Sequence, residues 1–504
     1  MPESSPEADA SGLWVGRWGA ALLGLGIVLR LVQFVAGVPV WGDQAGLGLN
    51  IVNRGFGGLL LPLDNQQVAP IGFLFSERAI YDWLGMSEYS MRLLPLLAGI
   101  ASLLLFHFWA RCVTSRLAAA IATGILAVSA TAVRHSAELK PYSWDLLASL
   151  LVLVPVTLFI LRKQRRWLVV LIALTPVALL MSYPAVFVLA GALLTLPWTV
   201  GRGNRGSLRL IVLFALVLAA TAAGVVWPIS VGQYHQTGDY MRAYWAESFP
   251  PGTALKLARW VVEIHIGRMF GYPLEGDAPW CTGFFVLFVI GIVSWISKRR
   301  WALTGLLLVP FVLTLLAAAL RRYPYGGSDR VAQHLAPAIV LMMGVGAAWL
   351  LERLGERRRR AWVGCIFVSL IAIGGVIGMA DVFMPTDVRR ALSDMRRFMR
   401  HDLSAFGPRP TVVVLVPPAL LADEYQWYLR EENAKMVWNP STENVWDLPG
   451  PVWVLSFRTD DGLLPTLEHD LQRKPAFHWV RLKSRHDPDD GNWNAFGFPP
   501  LNAK

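Results

Sequence analysis

Residues 162–205 read RKQRRWLVVLIALTPVALLMSYPAVFVLAGALLTLPWTVGRGNR, and the way this stretch divides decides the fold. Its middle, 167–200, is apolar almost throughout. As one helix it would run about 50 Å at about 1.5 Å per residue, too long for a hydrocarbon core of about 30 Å. Basic clusters stand at both ends: Arg162, Lys163, Arg165 and Arg166 before it, Arg202, Arg205 and Arg209 after it. Short cytoplasmic loops collect Lys and Arg, so both ends belong to one side and the stretch crosses an even number of times. Ser182-Tyr183-Pro184 supplies the turn, giving spans near 167–182 and 184–200.

Working outward from these two, similar apolar segments lie near 16–37, 92–110, 117–133, 144–161, 208–228, 280–297, 301–320, 331–352 and 361–383. Each is long enough to cross with some tilt. Further basic clusters recur at every second junction: Arg111 with Arg116, Lys298 to Arg300, and Arg353 with Arg357 to Arg360. The pattern predicts about eleven spans with the N-terminus in the cytosol and the C-terminus outside. Composition agrees: 55% of the 504 residues are hydrophobic and 16% charged. The apolar runs are continuous rather than alternating, which excludes an outer-membrane barrel. Twenty-two Trp suit the two interfacial belts. Cys112, Cys281 and Cys365 show no paired spacing, so they read as small buried hydrophobes.

Three regions are expected: a disordered cytosolic N-terminus (1–12), a transmembrane domain (13–383) and an extracytoplasmic α/β domain (384–504). The stretch 13–38 is too long for a signal-peptide core and reads as an uncleaved anchor. The tail holds 15 Lys+Arg and 16 Asp+Glu, so the net charge of +11 comes from the membrane part and is topology signal. In the tail, 411–416, 452–457 and 478–482 read as strands, and 387–401, 419–433 and 464–473 as helices. The outer loops, 38–91, 134–143, the turn at 183, 229–279 and 321–330, are longer and more aromatic than the cytosolic ones. Chemistry is expected there.

The densest polar cluster is Arg134-His135-Ser136-Ala137-Glu138-Leu139-Lys140-Pro141-Tyr142-Ser143-Trp144-Asp145. Lys140 and Arg134 suit a phosphate at the membrane surface. Glu138 and Asp145 suit orienting those cations or holding a divalent metal; His135 and Tyr142 suit phosphate or sugar. An ordinary loop whose charges pair internally is the competing reading. Asp43, just past the first span, is placed for a general base, or simply for a solvated helix cap. The loop from Arg321 to Arg330 carries three arginines against the positive-inside trend, which fits anion binding or lipid headgroup contact. Tyr234, His235, Asp239, Tyr240, Tyr244, Trp245, Trp260, His265 and Tyr272 in 229–279 suit a sugar or an interfacial helix, with His265 a candidate metal ligand. Arg30 and His107 inside spans are expected to snorkel or pair. There is no P-loop, nucleophile elbow, HExxH or dinucleotide fingerprint, which removes ATP-driven pumps and common hydrolases.

Gln67-Val68-Ala69-Pro70-Ile71-Gly72-Phe73, then Gly85 to Pro95, then Ser136 to Asp145, and the loop Tyr323-Pro324 to Arg330 followed by Leu335-Ala336-Pro337 together resemble bacterial family 39 glycosyltransferases. The resemblance covers about 15–350. These are GT-C enzymes, similar to protein mannosyltransferases and to the enzyme that adds aminoarabinose to lipid A. The resemblance implies a GT-C-like bundle of about eleven helices with a small C-terminal domain. It also implies a polyprenyl-phosphate-linked sugar as donor and transfer to a glycan, lipid or protein acceptor on the extracytoplasmic side. By position, Asp43 matches the presumed base, Lys140 and Glu138 the charged loop between the third and fourth spans, Arg330 a basic residue of the later loop, and Gln67 falls in a matched segment lining the sugar site. Relatives often carry Asp-Glu where this chain has Asp43-Gln44, and His or Lys before Pro-Pro where it has Ala69-Pro70-Ile71.

The expected chemistry is inverting transfer: Asp43 deprotonates the acceptor hydroxyl while Lys140, Arg134 or Arg330 neutralises the leaving phosphate. A transporter or flippase of lipid-linked sugars is the alternative, but it would place ionisable groups near the bilayer midplane and often shows repeats. A non-catalytic scaffold presenting the C-terminal domain is the third reading.

Overall fold

A bilayer core gives backbone N–H and C=O groups no partner, so an apolar segment that enters it must satisfy them internally, as a helix. The computed structural model of the protein describes residues 6–40, 42–201, 204–276 and 279–383, and beyond them Ser393, Arg396, Trp427 and five strands. The helices are α1 (Pro6–Val35), α2 (Asp43–Asn53), α3 (Ile71–Leu84), α4 (Leu93–Val113), α5 (Arg116–Ala127), α6 (Ala130–His135), α7 (Tyr142–Arg162) and α8 (Arg166–Met181). They continue as α9 (Ala185–Thr195), α10 (Arg205–Thr221), α11 (Trp227–Tyr244), α12 (Ala254–Ile266), α13 (Trp280–Ser297), α14 (Trp301–Ala319), α15 (Ala336–Leu351) and α16 (Glu356–Phe383). The expected apolar segments are helical, except that 117–133 is broken at Val128-Ser129 into α5 and α6. Among the described residues seven helical stretches are long and apolar enough to cross a membrane, and α5, α8, α9 and α15 are shorter apolar helices. Leu213 and Leu216 on α10, Val289 and Val293 on α13, and Val368 and Val376 on α16 stand exposed. A hydrocarbon solvent requires such a surface.

The loops sort to two ends. At one end Lys163 donates to the Thr199 carbonyl, Arg165 to Asn204, Arg300 to the Val113 carbonyl and Ser115 to Glu352, which gathers the basic junctions. Following α7, α8 and α14 across the bundle leads to the other end. There α2, α3, the 136–141 segment, the 182–184 turn and the 321–335 segment meet.

At the centre α15 is buried along nearly its whole length. Its glycines allow backbones to touch, the usual way helices pack without a hydrophobic force between them. A Cβ at Gly346 would overlap the Leu287 carbonyl of α13, and one at Gly344 would come within 2.7 Å of the Ala118 carbonyl of α5. Gly291 on α13 is held equally close to the Met342 carbonyl.

Arg30 does not snorkel. It is fully buried, and its guanidinium donates to the carbonyls of Gly26, Leu126 and Ala127. The last carbonyls of a helix have no partner within it. Here α5 ends at Ala127 inside the bundle, and Arg30 supplies the donors. His107 pairs instead, with Thr123 at 3.0 Å.

Three stretches depart from expectation. Helix α1 starts at Pro6, inside the segment expected to be disordered, and proline's fixed φ suits a first helical turn. The 38–91 segment folds into α2 and α3. The 229–279 segment is largely helical, as one of its two readings has it, but α11 is not separate from the span before it: a five-residue π turn, Ala222–Val226, carries α10 on into α11, and α12 follows. Polar residues spread along α11 hid its continuity with the apolar span before it.

Within 384–504 the strands β1 (Thr411–Leu415), β2 (Lys435–Trp438), β3 (Val452–Phe457), β4 (Val480–Arg485) and β5 (Trp493–Gly497) form one sheet in the order β2-β1-β3-β5-β4. β1 pairs parallel with β2 and β3, while β5 pairs antiparallel with β3 and β4. Ser393, Arg396 and Trp427 are helical. The rest of the expected helices at 387–401 and 419–433, and all of 464–473, lie outside the described residues.

Two outcomes follow from this packing. Gly346→Val forces α13 and α15 apart and should give no monodisperse protein on size exclusion, whereas Gly305→Ala, with nothing within 4 Å of the added Cβ, should be tolerated. Arg30→Leu takes the side-chain donor from the buried Ala127 carbonyl and should cost about 1–3 kcal/mol, read as a lowered thermal midpoint in detergent.

Candidate active site

Asp43 is the first residue of α2, where a carboxylate complements the positive end of the helix. Gly42 before it has φ 48°, a left-handed conformation that glycine adopts without strain. The far end of α2 is held from α3: Arg78 donates to the carbonyls of Ile51, Val52 and Arg54, the groups a helix leaves open at its C-terminus. The helix carrying Asp43 is therefore fixed at its far end, and its first residue points a half-exposed carboxylate (57%) outward.

The residue facing it is Arg330, whose Nη1 lies 3.6 Å from Asp43 Oδ2. Arg330 packs over the rings of Trp245, 4.9 Å to the centroid, and Tyr244, to whose hydroxyl it donates. Its backbone is set by Asp329, which accepts from the Arg330 N–H and from Thr131 of α6. Burial works against the guanidinium charge, but Tyr142, Tyr244 and Asp43 outweigh it and raise its pKa. Of the three arginines in the 321–330 loop, Arg330 meets Asp43, while Arg322 packs over the Tyr234 ring.

The 134–145 cluster arrives at the same place through Gln44. Its Oε1 accepts from the Leu139 N–H at 3.1 Å and from Arg92 Nη2 at 3.1 Å. Asp43 and Lys140 thus flank two residues that are directly bonded. Lys140 is buried and donates to Gln67 Oε1 at 2.6 Å, so the first outer segment supplies both the acid and an orienting partner for the lysine. Tyr142 opens α7 after Pro141, lies within electrostatic reach of Asp43 and Arg330, and packs its ring 4.7 Å from His135.

The acids of the cluster do other work than expected. Glu138 pairs with His135, Oε2 to Nδ1 at 2.6 Å, rather than with Lys140. Burial alone would raise its pKa, but the charge and hydrogen bond of His135, with Arg134 and Arg92, pull it down to about 2. Asp145 accepts from Ser182 at 2.6 Å and so ties α7 to the 182–184 turn rather than orienting a cation. Arg134 pairs with Glu275 and Arg92 is bonded to Gln44, while Arg330 faces Asp43 itself and Lys140 follows the residue that Gln44 holds. His265 bonds the Val261 carbonyl and the Tyr325 hydroxyl. Among the described residues no group of three His, Cys, Asp or Glu side chains is placed to hold a metal ion. Ala69 is buried, and its carbonyl accepts from Tyr183 and Gln233.

Sequence reasoning missed Gln44 and Arg92 as the bridge, and it named Tyr244 and Trp245 for a sugar or an interfacial helix without placing them behind Arg330. The aromatic pair carried a signal, two adjacent large rings in an outer segment. The bridge carried none, because it joins segments far apart in the chain.

No protein-family model matches the sequence, and no curated protein matches it. The structure is similar to ArnT from Cupriavidus metallidurans in the apo state, with TM-score 0.55 and 13% identity over 97% of this chain and 98% of that one. The form of ArnT bound to undecaprenyl phosphate gives 0.53 and 13% over 96% and 98%. The Archaeoglobus fulgidus oligosaccharyltransferase in the apo form gives 0.51 and 12% over 87% of this chain and 69% of that one. At such identities the likeness establishes the fold, a polytopic α-helical membrane protein with a GT-C-like bundle.

The bridge and the dyad each yield an expected result. Gln44→Leu removes an acceptor from a buried N–H and should lower stability by about 1–3 kcal/mol in chemical or thermal unfolding. Glu138 has its folded pKa depressed, so its stabilisation is present above the ordinary value of 4.5 and is lost as pH falls toward about 2. Glu138→Gln should flatten the fall of the thermal midpoint across that interval.

Proposed function

We propose that this protein is an integral-membrane glycosyltransferase that moves a sugar from a polyprenyl-phosphate donor to an acceptor outside the cytoplasm, with inversion at the anomeric carbon. The observation that carries this reading is the convergence of Asp43, Arg330 and Lys140 at the end of the bundle opposite the basic junctions. Those junctions mark the cytoplasmic side by the positive-inside rule, which puts the site and the residues after Phe383 outside. The lipid tail of such a donor stays in the bilayer while its phosphate sits at the interface, so its cations must lie at the membrane surface. Similarity of fold to ArnT, which has been seen bound to undecaprenyl phosphate, is in keeping with that donor class.

In the free protein Arg330 lies against Asp43. A donor phosphate competes for the guanidinium, with Lys140 held ready by Gln67, and leaves the carboxylate open to the acceptor. The acceptor oxygen bonds to the anomeric carbon as the bond from that carbon to the phosphate oxygen breaks. The hydroxyl proton passes to Asp43, and polyprenyl phosphate departs with its charge met by Arg330 and Lys140. Attack and departure on opposite faces invert the centre. A divalent metal is not required by this scheme. A transporter is disfavoured because the polar cluster lies at one end of the bundle, and the fully buried Arg30 is consumed in capping α5.

Comparing envelope glycans and glycoproteins in cells with and without the gene identifies the acceptor. With it, Asp43→Asn in purified protein should keep folding and donor binding and lower transfer about 100-fold or more. Arg330→Gln and Lys140→Met should instead weaken donor binding. Near-normal transfer by Asp43→Asn would rule out the mechanism.

A further inference from the structure

Helix α2 is buried on every side from Gln44 to Val52, although it lies at the end of the bundle. A helix in that position ordinarily keeps a polar face open to water. What closes it comes from the C-terminal region. Trp427 is 1% exposed and packs in one apolar cluster with Ala45, Ile51, Val52 and Leu63. Its ring lies directly on Gly48, where any Cβ would overlap the indole. A second contact sits on the other side of Asp43. Arg396 Nη1 donates at 2.6 Å to the Gly37 carbonyl and at 2.6 Å to Glu88 Oε2. The other oxygen of Glu88 accepts from the Val40 N–H at 3.3 Å.

These contacts bracket one residue. Gly37 and Val40 precede Asp43, and Gly48 follows it on the first turns of α2. We propose that Trp427 and Arg396 are positioning residues for Asp43: the C-terminal region clamps the segment that carries the base, and the clamp sets the rate of transfer. The inference rests on the glycosyltransferase reading for its effect on rate, but not for the docking itself. In physical terms the indole fills a notch that glycine leaves, and the Arg396–Glu88 pair fixes the entry to α2. Without them α2 keeps its attachment to Arg78 at the far end and loses restraint at the Asp43 end.

The test uses the full chain in lipid nanodiscs. In Trp427→Ala, amide hydrogen exchange across 43–53 should rise at least tenfold while exchange across 146–160 of α7 stays as in the wild type. Gly48→Leu, which expels the indole, should do the same. The double variant Gly48→Leu/Trp427→Ala refills the notch and should recover much of the protection. Transfer should follow exchange: kcat falls at least tenfold in both single variants, with the KM for the lipid-linked donor little changed, and partly returns in the double variant. Unchanged exchange across 43–53 in Trp427→Ala would overturn the docking. Raised exchange with unchanged kcat would overturn the positioning role. Absence of transfer by the wild-type protein would contradict the glycosyltransferase reading while leaving the exchange result to decide the docking.

Discussion

One side-chain amide holds the site together. Gln44 Oε1 accepts a hydrogen bond from Arg92 and another from the backbone of Leu139, and so joins the segment that begins with Asp43 to the segment that ends with Lys140. Both bonds are buried, where leaving a donor unmade is costly. The resemblance carried by the sequence implies a carboxylate at this position. An amide holds the same two donors without adding a charge beside Asp43, and Glu138, already ionised, balances the nearby arginines. The departure at Gln44 is therefore compatible with a single acid serving as base.

The same economy of charge runs through the bundle. Arg30 is buried beside the end of α5 and satisfies carbonyls that no lipid would. Glycines on α13 and α15 let those helices touch at backbone level where apolar side chains alone offer little preference between lipid and protein. Ionisable groups that are not absorbed in this way collect at the two ends. One end is mostly basic and reads as topology. The other mixes acids, cations and aromatic rings, and reads as chemistry.

The spans were legible because hydropathy and basic loops are local signals, and the 167–200 stretch shows why: its length and flanking charges admit one solution. The same is true of β1 and β3, where β-branched residues mark strands. β2 and β5 were not legible, because KMVW is short and Trp493–Gly497 carries Asn and Gly, residues that disfavour strands. A helix was one reading of 229–279, but the continuity of α11 with α10 was not legible, because polar residues replace the apolar period after Trp227. At the site, residue types were legible and pairings were not. Lys140, Asp43 and Arg330 were marked by charge near an interface, yet nothing local indicates that Lys140 bonds Gln67, that Glu138 turns to His135, or that Asp145 serves the 182–184 turn. Trp427 on Gly48 is the extreme case, a contact made only once the tail has folded back.

The central claim is that one sugar phosphate fits between the acid and the two cations. A cryo-EM structure of the protein in nanodiscs with a polyprenyl phosphate bound tests it most directly. The account predicts the phosphate within hydrogen-bond reach of the Arg330 guanidinium and Lys140 Nζ, with Arg330 drawn off Asp43. Phosphate density at the basic end of the bundle, or out of reach of both cations, would contradict it.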